Sequence, residues 1–393
     1  MTGPGLLLNA AGRADVETAI ARIAELAEPD PLRRAAWARR ELPGELWRPA
    51  VEQWELRQRA RVKFGAAADD LWFTQAGLEQ ASRPEVADHR ARRFHAAGAG
   101  TVLDLCCGLG GDVLAFARNG LGVTAVERDP LTAALATANT GVAVVTGDAE
   151  DADRSAAGSV FIDPARRTAR GRTFDPAAFS PAFDFVLSVL ADSRLAAAKL
   201  SPGLDHALIP ADAEAEWVSY GGQVKEAVLW SAGFAESPGR DRIGRRATLL
   251  PSGAQLSDQD ASTDRLGGIG PFLFEPDGAV IRAGLVQQAA AAVGGWRIDE
   301  QLAYLSGNDP AAVPFVRGFA VLDVLPFSVK RLRDELRRRE VGTVEIKKRG
   351  VDVDPARLRR ELKPSGPNQL TVLLARLGTG PASRRVAVLA EPV

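Results

Sequence analysis

The chain has 393 residues, of which 46% are hydrophobic and 25% charged, and its 49 Lys/Arg against 50 Asp/Glu leave a formal net charge of −1. That length allows two or three domains with substantial cores, and the composition is that of an ordinary globular protein. No run approaches the ~18 uninterrupted apolar residues that span a bilayer, and no charged-then-apolar signal opens the chain, so a cytoplasmic location and no membrane partner are expected.

Helical periodicity runs from about residue 14 to 98, with Val16, Ile20, Ile23 and Leu26 forming an apolar stripe. Trp37, Trp47 and Trp54 follow among Arg33, Arg34, Arg39, Arg40, Arg57, Arg59 and Arg61. Tryptophan interleaved with arginine can grip single-stranded nucleic acid, or it can anchor a small helical bundle whose arginines are solvated.

The next segment carries the chemistry. Val102-Leu103-Asp104-Leu105 reads as a strand running into the glycine turn Cys106-Cys107-Gly108-Leu109-Gly110-Gly111-Asp112, and Val113–Ala117 as the helix behind it. A strand that delivers a glycine turn to a helix N-terminus is a site for nucleotide-like ligands. The spacing Asp-x-x-x-Gly-x-Gly differs from the Gly-x-Gly-x-x-Gly of dinucleotide binders, and an acid before the turn suits an ammonium group better than phosphates. A second apolar run ends in Glu127, which is placed to accept from ribose hydroxyls. A third, 142–146, leads to Asp148, which can accept from an adenine amino group. A fourth, 159–162, ends in Asp163-Pro164-Ala165-Arg166. Asp104, Glu127, Asp148 and Asp163 thus fall along the carboxyl edge of one open parallel sheet, where such sheets bind ligands. A nucleoside ligand with a cationic group points to S-adenosylmethionine. The only two cysteines, Cys106 and Cys107, are adjacent inside the turn, which excludes a disulfide framework; no metal site is expected.

With those four motifs in order, residues 68–250 resemble a class I S-adenosylmethionine-dependent methyltransferase, and within it the trimethylguanosine-synthase-like RNA methyltransferases. Leu71-Trp72-Phe73-Thr74-Gln75-Ala76-Gly77-Leu78 through Ser82, with Val86, Ala87, His89, Arg90 and Ala91, is similar to the segment that precedes the sheet in that group. The resemblance implies that this segment folds over the cofactor, bringing in Phe73 and Thr74. The candidate cofactor set is Phe73, Thr74, Asp104, Cys107, Gly108, Gly110, Asp112, Glu127, Arg128, Asp148, Ala149 and Asp163. The C-terminal third resembles a THUMP-like domain. The implied fold class is α/β: a Rossmann-like, seven-stranded, mostly parallel methyltransferase sheet, an N-terminal helical region and a C-terminal α/β THUMP-like domain. The corresponding divisions are 1–67, 68–251, a Ser/Asp/Gly-rich linker over 252–270, and 271–393.

Beyond Asp163 the pattern predicts a helix over 183–195 and strands over 196–200, 216–220, 224–230 and 246–250. In the C-terminal part it predicts strands over 319–325, 343–346, 370–374 and 386–389, with helices over 328–339 and 354–362 and Ser328 as an N-cap. From Ser328 to Lys363 there are thirteen Lys/Arg against seven Asp/Glu, a local excess of six positive charges in a chain of net charge −1. Such a patch suits a surface that meets phosphates, and Lys347, Lys348 and Arg349 close a strand within it.

The expected acceptor site is Asp163, Pro164 and Arg166. Enzymes of the resembling group that methylate base nitrogens carry Asn/Asp-Pro-Pro and an aromatic residue here, the ring stacking on a flipped base. Ala165 and Arg166 take the third and fourth places, so the ring is absent from the motif. Phe174 in the basic loop with Arg166, Arg167, Arg170 and Arg172 is one substitute; Arg166 stacking on a base or holding a phosphate is another. RNA is the expected partner and substrate, with a protein or small-molecule acceptor as the alternative.

Overall fold

The computed structural model of the protein describes residues 3–166, 179–235, 243–380 and 383–393. Two compact units emerge, one of Met1–Glu214 with Ala227–Glu236, the other of Ala215–Glu226 with Ser237–Val393.

The first unit opens with helices α1 (Ala10–Leu26), α2 (Pro31–Glu41) and α3 (Trp47–Phe64). The Asn9 side chain caps α1 by accepting from Gly12 N–H at 2.9 Å, and Asp30 caps α2 with Pro31 at the first helical position. Val16, Ile20 and Ile23 are buried as their spacing demands. Trp37, Trp47 and Trp54 pack against the same core, and the Arg34 guanidinium lies 3.9 Å above the Trp54 ring. The aromatic and arginine side chains therefore stack on one another within the helical bundle. That core also takes in Trp72, Phe73, Leu78, Leu109 and Leu135, so the N-terminal helices are packed onto the residues that follow them.

Helices α4 (Gln75–Gln80) and α5 (Pro84–Ala96) lead to the sheet. Its next elements are β1 (Thr101–Leu105), α6 (Gly111–Arg118), β2 (Gly122–Glu127), α7 (Pro130–Thr140), β3 (Val144–Thr146) and β4 (Val160–Ile162). A short ribbon of β5 (Ala165–Arg166) and β6 (Phe179–Ser180) comes next, then α8 (Phe183–Asp192) and β7 (Ala196–Leu200). Strands β4, β1, β2 and β3 are mutually parallel, with β7 parallel on the outer side of β4. The hairpin of β8 (Glu214–Tyr220) and β9 (Gln223–Trp230) is shared: the second half of β9 runs antiparallel to β7 in the first unit, and most of β8 belongs to the second. The first unit thus has the order β9-β7-β4-β1-β2-β3. Phe94, Phe116, Phe161, Trp230 and Phe234 fill one core against it.

In the second unit, β10 (Arg245–Leu250) pairs parallel with β8, and β11 (Ala254–Ser257) pairs antiparallel with β10. Within this unit the strands run in the order β11-β10-β8. The edge strand β11 lies inside the stretch whose polar composition reads as a linker: four residues of β pairing leave too little apolar signal to be seen.

The remaining elements are β12 (Phe272–Pro276), α9 (Gly278–Arg282), α10 (Val286–Ala292), β13 (Trp296–Arg297), β14 (Leu305–Gly307), β15 (Val316–Pro326), α11 (Val329–Arg338), β16 (Val341–Arg349), α12 (Pro355–Leu362), β17 (Asn368–Leu377) and β18 (Arg384–Pro392). Together their strands form a seven-stranded sheet of order β13-β14-β12-β15-β18-β17-β16. Ser328 stands at the N-cap position of α11, but its side chain makes no capping hydrogen bond, whereas Asp354 caps α12 through Ala356 and Arg357 N–H. Among the described residues no helix is long and apolar enough to cross a membrane.

One buried ion pair locks α5 to the start of α6. Arg90, fully buried, donates from Nε to Asp112 Oδ1 at 2.9 Å and from Nη2 to Ser82 Oγ at 2.8 Å and to Asp112; Ser82 Oγ in turn lies 3.2 Å from Asp112 Oδ2. Removing one partner of such a pair strands the other charge in a low-dielectric site, at about 3–5 kcal/mol. Arg90→Leu is therefore expected to lower the unfolding free energy in urea by about that much, with Arg90→Leu/Asp112→Leu recovering part of the loss. A single variant within ~0.5 kcal/mol of the parent, the scale of an ordinary surface change, would show that the pair carries no such weight.

Candidate functional site

The carboxyl edge of β4-β1-β2-β3 is built by register. Leu105 pairs with both Val126 and Ile162, and Glu127 pairs with Thr146, so the residues that end these strands stand side by side. Asp163 N–H donates to Leu105 O at 3.2 Å, Cys107 N–H to Val126 O at 3.0 Å, and Gly147 N–H to Glu127 O at 3.1 Å. All four acids expected from sequence lie on this edge or just beneath it.

The glycine turn has the backbone its sequence calls for. Gly110 sits at φ +82°, and a Cβ there would meet Thr140 Cγ2 at 2.4 Å, so the turn and α7 approach as closely as only glycine permits. Cys106 adopts φ +65°, a left-handed conformation that costs an ordinary side chain energy. Burial pushes both thiols up, with Asp163 and Glu127 adding to the effect at Cys106 and Asp104 and Glu127 at Cys107. Neither cysteine is primed as a thiolate.

Glu127 is held over the turn. Its Oε2 accepts from Gly108 N–H at 3.0 Å and its Oε1 from Asp129 N–H at 3.0 Å, which fixes the carboxylate while leaving it half-exposed. Asp148 is exposed, and Arg128 Nε lies 3.8 Å from it. Ala149, beside it, is buried. Arg128 also reaches Ser180 Oγ at 3.4 Å, tying the end of β2 to the ribbon after the acceptor motif. Asp112 faces Arg90 rather than open solvent.

The segment ahead of α4 is pinned. Gln53 on α3 makes a two-way amide pair with Phe73 (3.0 Å to its N–H, 2.6 Å to its carbonyl). Asn139 on α7 does the same for Trp72 at 2.7 and 3.0 Å and also donates to Leu109 O at 3.1 Å. Thr74 caps α4 through Gly77 N–H, and a Cβ on Gly77 would strike Leu109 at 2.6 Å. Phe73 and Thr74 thus lie in a segment braced against the glycine turn, Phe73 itself being buried.

Asp104 is the unusual member. It is fully buried, and neither carboxylate oxygen has a hydrogen-bond partner. Burial, then the charges of Asp112 and Asp163, hold its carboxyl well above the ordinary carboxylate range against the opposing pull of Arg90 and Lys199. Lys199, on β7, is the site residue that motif reading misses: its Nζ lies 2.5 Å from Asp163 Oδ2. Asp104, Asp112 and Asp163 thus stand beneath the turn against Arg90 and Lys199, a setting in which a phosphate would meet acids rather than free cations.

In the segment Asp163-Pro164-Ala165-Arg166, Pro164 is buried and Ala165 exposed. Arg166 lies on β5, paired with Phe179 on β6, and the Phe179 ring is buried against Phe183 at 6.1 Å between centroids. An aromatic residue is therefore close to the motif in space although absent from it in sequence. Arg167, Arg170, Arg172 and Phe174 fall outside the described residues.

In the second unit, Lys347 Nζ lies 2.5 Å from Glu275 Oε2 and 3.6 Å from Glu345, and Arg349 lies 3.4 Å from Glu275 Oε1. Two of the three strand-end cations thus pair with acids within the fold; Lys348 is exposed and has no ion pair among the described residues. Lys330, Arg331 and Arg337 on α11, with Arg360 and Lys363 at the end of α12, are likewise exposed and without an ion-pair partner among the described residues.

Comparison with known proteins fits this picture. Residues 316–392, from β15 to the C-terminal strand, match the family described as THUMP domain-like. An uncharacterised S-adenosylmethionine-dependent methyltransferase of Mycobacterium tuberculosis, in strains CDC 1551 and H37Rv alike, is 37% identical over 357 residues, which is 87% of this chain and 96% of the relative. A crystal structure of a candidate methyltransferase from Porphyromonas gingivalis W83 superposes with a TM-score of 0.76 at 21% identity, covering 97% of this chain and 98% of the other, which shows a shared fold.

The left-handed Cys106 yields a test of the turn. Cys106→Gly should raise stability by about 1 kcal/mol, since glycine adopts this φ without the Cβ penalty, and Cys106→Val should lower it. Urea midpoints measured on both variants check this, and a destabilised Cys106→Gly would mean that thiol packing outweighs the backbone cost.

Proposed function

The chain belongs to the S-adenosylmethionine-dependent methyltransferases, and from that premise we propose that it methylates a base nitrogen of RNA presented at Asp163-Pro164-Ala165-Arg166. S-adenosylmethionine supplies a methyl group already activated on a sulfonium, so the protein's work is to hold and align. Glu127 binds the ribose hydroxyls, Asp148 accepts from the adenine amino group with Arg128 orienting it, and Gly108 and Gly110 let the methionyl part approach the backbone. Phe73, Thr74, Cys107 and Ala149 line the cofactor, and Asp112 supports the turn through Arg90. Asp163 accepts a hydrogen bond or proton from the acceptor nitrogen, beside the Pro164 carbonyl, while Arg166 and the loop bearing Arg167, Arg170, Arg172 and Phe174 grip the nucleotide.

The RNA assignment rests on one observation above all: the THUMP domain-like region presents, on α11 and at the end of α12, exposed cations that have no ion-pair partner among the described residues. Lys348 extends that set; Lys347 and Arg349, engaged with Glu275, contribute less field to it. This internal neutralisation is the feature that favours a protein or small-molecule acceptor instead.

Glu127→Ala is expected to weaken S-adenosylmethionine binding by one to two orders of magnitude, from the loss of ~1.5–3 kcal/mol of charge-assisted hydrogen bonding. Calorimetric titration showing unchanged affinity would remove Glu127 from the ribose site. For the acceptor, radiolabelled methyl from S-adenosylmethionine should enter RNA from cells lacking this gene, but not RNA from normal cells, where the position is already modified. Label entering cell protein alone would replace RNA with a protein acceptor.

A further inference from the structure

We propose that Lys199 is a positioning residue for methyl transfer: its ammonium keeps Asp163 ionised and aimed, so that the carboxylate can accept from the acceptor nitrogen at neutral pH. The inference rests on the reading of Asp163 as the acceptor-side carboxylate and assigns a role to a residue outside the strand-end motifs read in the sequence.

The geometry begins with the sheet. β4 and β7 are parallel neighbours in which Ile162 is opposite Ala198, so Asp163 and Lys199, each one residue further on, come level at the end of the ladder. Their side chains meet at 2.5 Å. Lys199 interrupts an otherwise apolar strand, Ala196-Ala197-Ala198-Lys199-Leu200, and retains only 14% of its side-chain exposure, while Asp163 retains 31%. An ammonium is placed in such a strand at a desolvation cost, which a partner carboxylate at this distance offsets.

The surroundings explain why Asp163 needs it. From β1, Asp104 faces the same pocket with both oxygens unpaired; from α6, Asp112; from the glycine turn, the Cys106 thiol. Against these stand Arg90 from α5, already committed to Asp112 and Ser82, and Lys199 from β7. Burial raises the Asp163 carboxyl and Asp112 adds to that; Lys199 is the largest opposing influence and Arg90 a smaller one. A protonated Asp163 has one oxygen converted to a donor and cannot serve as an acceptor with both, so loss of Lys199 should disable the site by titration without disturbing cofactor contacts.

The test uses the full-length protein and Lys199→Met, which keeps length and apolar fit, with Lys199→Arg as the rescue. Carboxyl carbon-13 NMR of the free protein, with the Asp163 signal identified by its loss in Asp163→Asn, should show Asp163 titrating about 1–3 pH units higher in Lys199→Met, the size of a lost close counter-charge. Lys199→Arg should restore most of the shift. With an RNA acceptor, the acidic limb of the kcat/KM profile should move up by the same interval. An unmoved Asp163 titration overturns the proposal even if activity falls, because a purely structural lysine would lower rates without moving the limb. A shifted titration with no methyl transfer to RNA at any pH would uphold the Lys199–Asp163 coupling while refuting the RNA acceptor. If Lys199→Met does not fold, Lys199→Gln carries the same comparison.

Discussion

Everything at this site depends on how three acids and two bases are balanced near the carboxyl ends of adjacent parallel strands. Asp104 on β1 is level with Phe161 of the adjacent strand β4, two residues before Asp163, and Asp112 enters from the first turn of α6. Three carboxylates in so dry a space would repel one another strongly, because Coulomb energies grow as the local dielectric falls. Arg90 and Lys199 are buried to offset that repulsion, and each comes from a different element: α5 for one, β7 for the other. Two helices and three strands are therefore fastened by one charge balance. The acid left without a counter-charge is Asp104, whose burial and acidic neighbours favour the protonated form.

The parts of this arrangement that are visible in the sequence are those encoded locally. A strand ending in an acid, followed by glycines and an amphipathic helix, is written in about a dozen consecutive residues, and so the four acids at strand ends could be read in order. Lys199 could not. Its partner is 36 residues away, and their contact exists only because β7 lies beside β4 rather than at the far edge of the sheet. The same holds for Gln53 and Asn139, whose amides hold Phe73 and Trp72 from 20 and 67 residues away. The strand β11 was hidden for another reason: in a stretch rich in Ser, Asp and Gly, four paired residues do not produce a period. The resemblance to known methyltransferases supplied the placement of Phe73 and Thr74, which composition and spacing do not give.

Charge counting along the chain had a similar blind spot. The excess of six positive charges between Ser328 and Lys363 is real, but Lys347 finds Glu275 72 residues upstream, and Arg338 and Arg339 share Glu335 within α11. An ion pair that closes inside the fold attracts no phosphate. What remains for a polyanion is carried mainly by α11 and α12, which pack on each other, so the basic surface lies on the helices more than on the strand end where the sequence concentrates it. Phosphate contacts of that kind position a nucleic acid without reading its bases. Choice of the methylated base would then have to come from the acceptor motif itself.

The two halves of the catalytic site are prepared differently. On the cofactor side, buried amides fix the chain around Trp72 and Phe73, backbone N–H groups fix Glu127, and Gly110 is locked against α7. A ligand entering such a site meets groups that are already ordered, so little binding energy is lost to immobilising them. On the side proposed for the acceptor, Asp163-Pro164-Ala165-Arg166 holds no aromatic residue, and Phe179, across the ribbon, is buried against Phe183. Stacking by Phe179 would require it to leave that packing, which costs apolar burial. On the proposed reading, recognition of the acceptor would be weighted toward charge and hydrogen bonding at Asp163, where control of its ionisation by Lys199 would have the most effect.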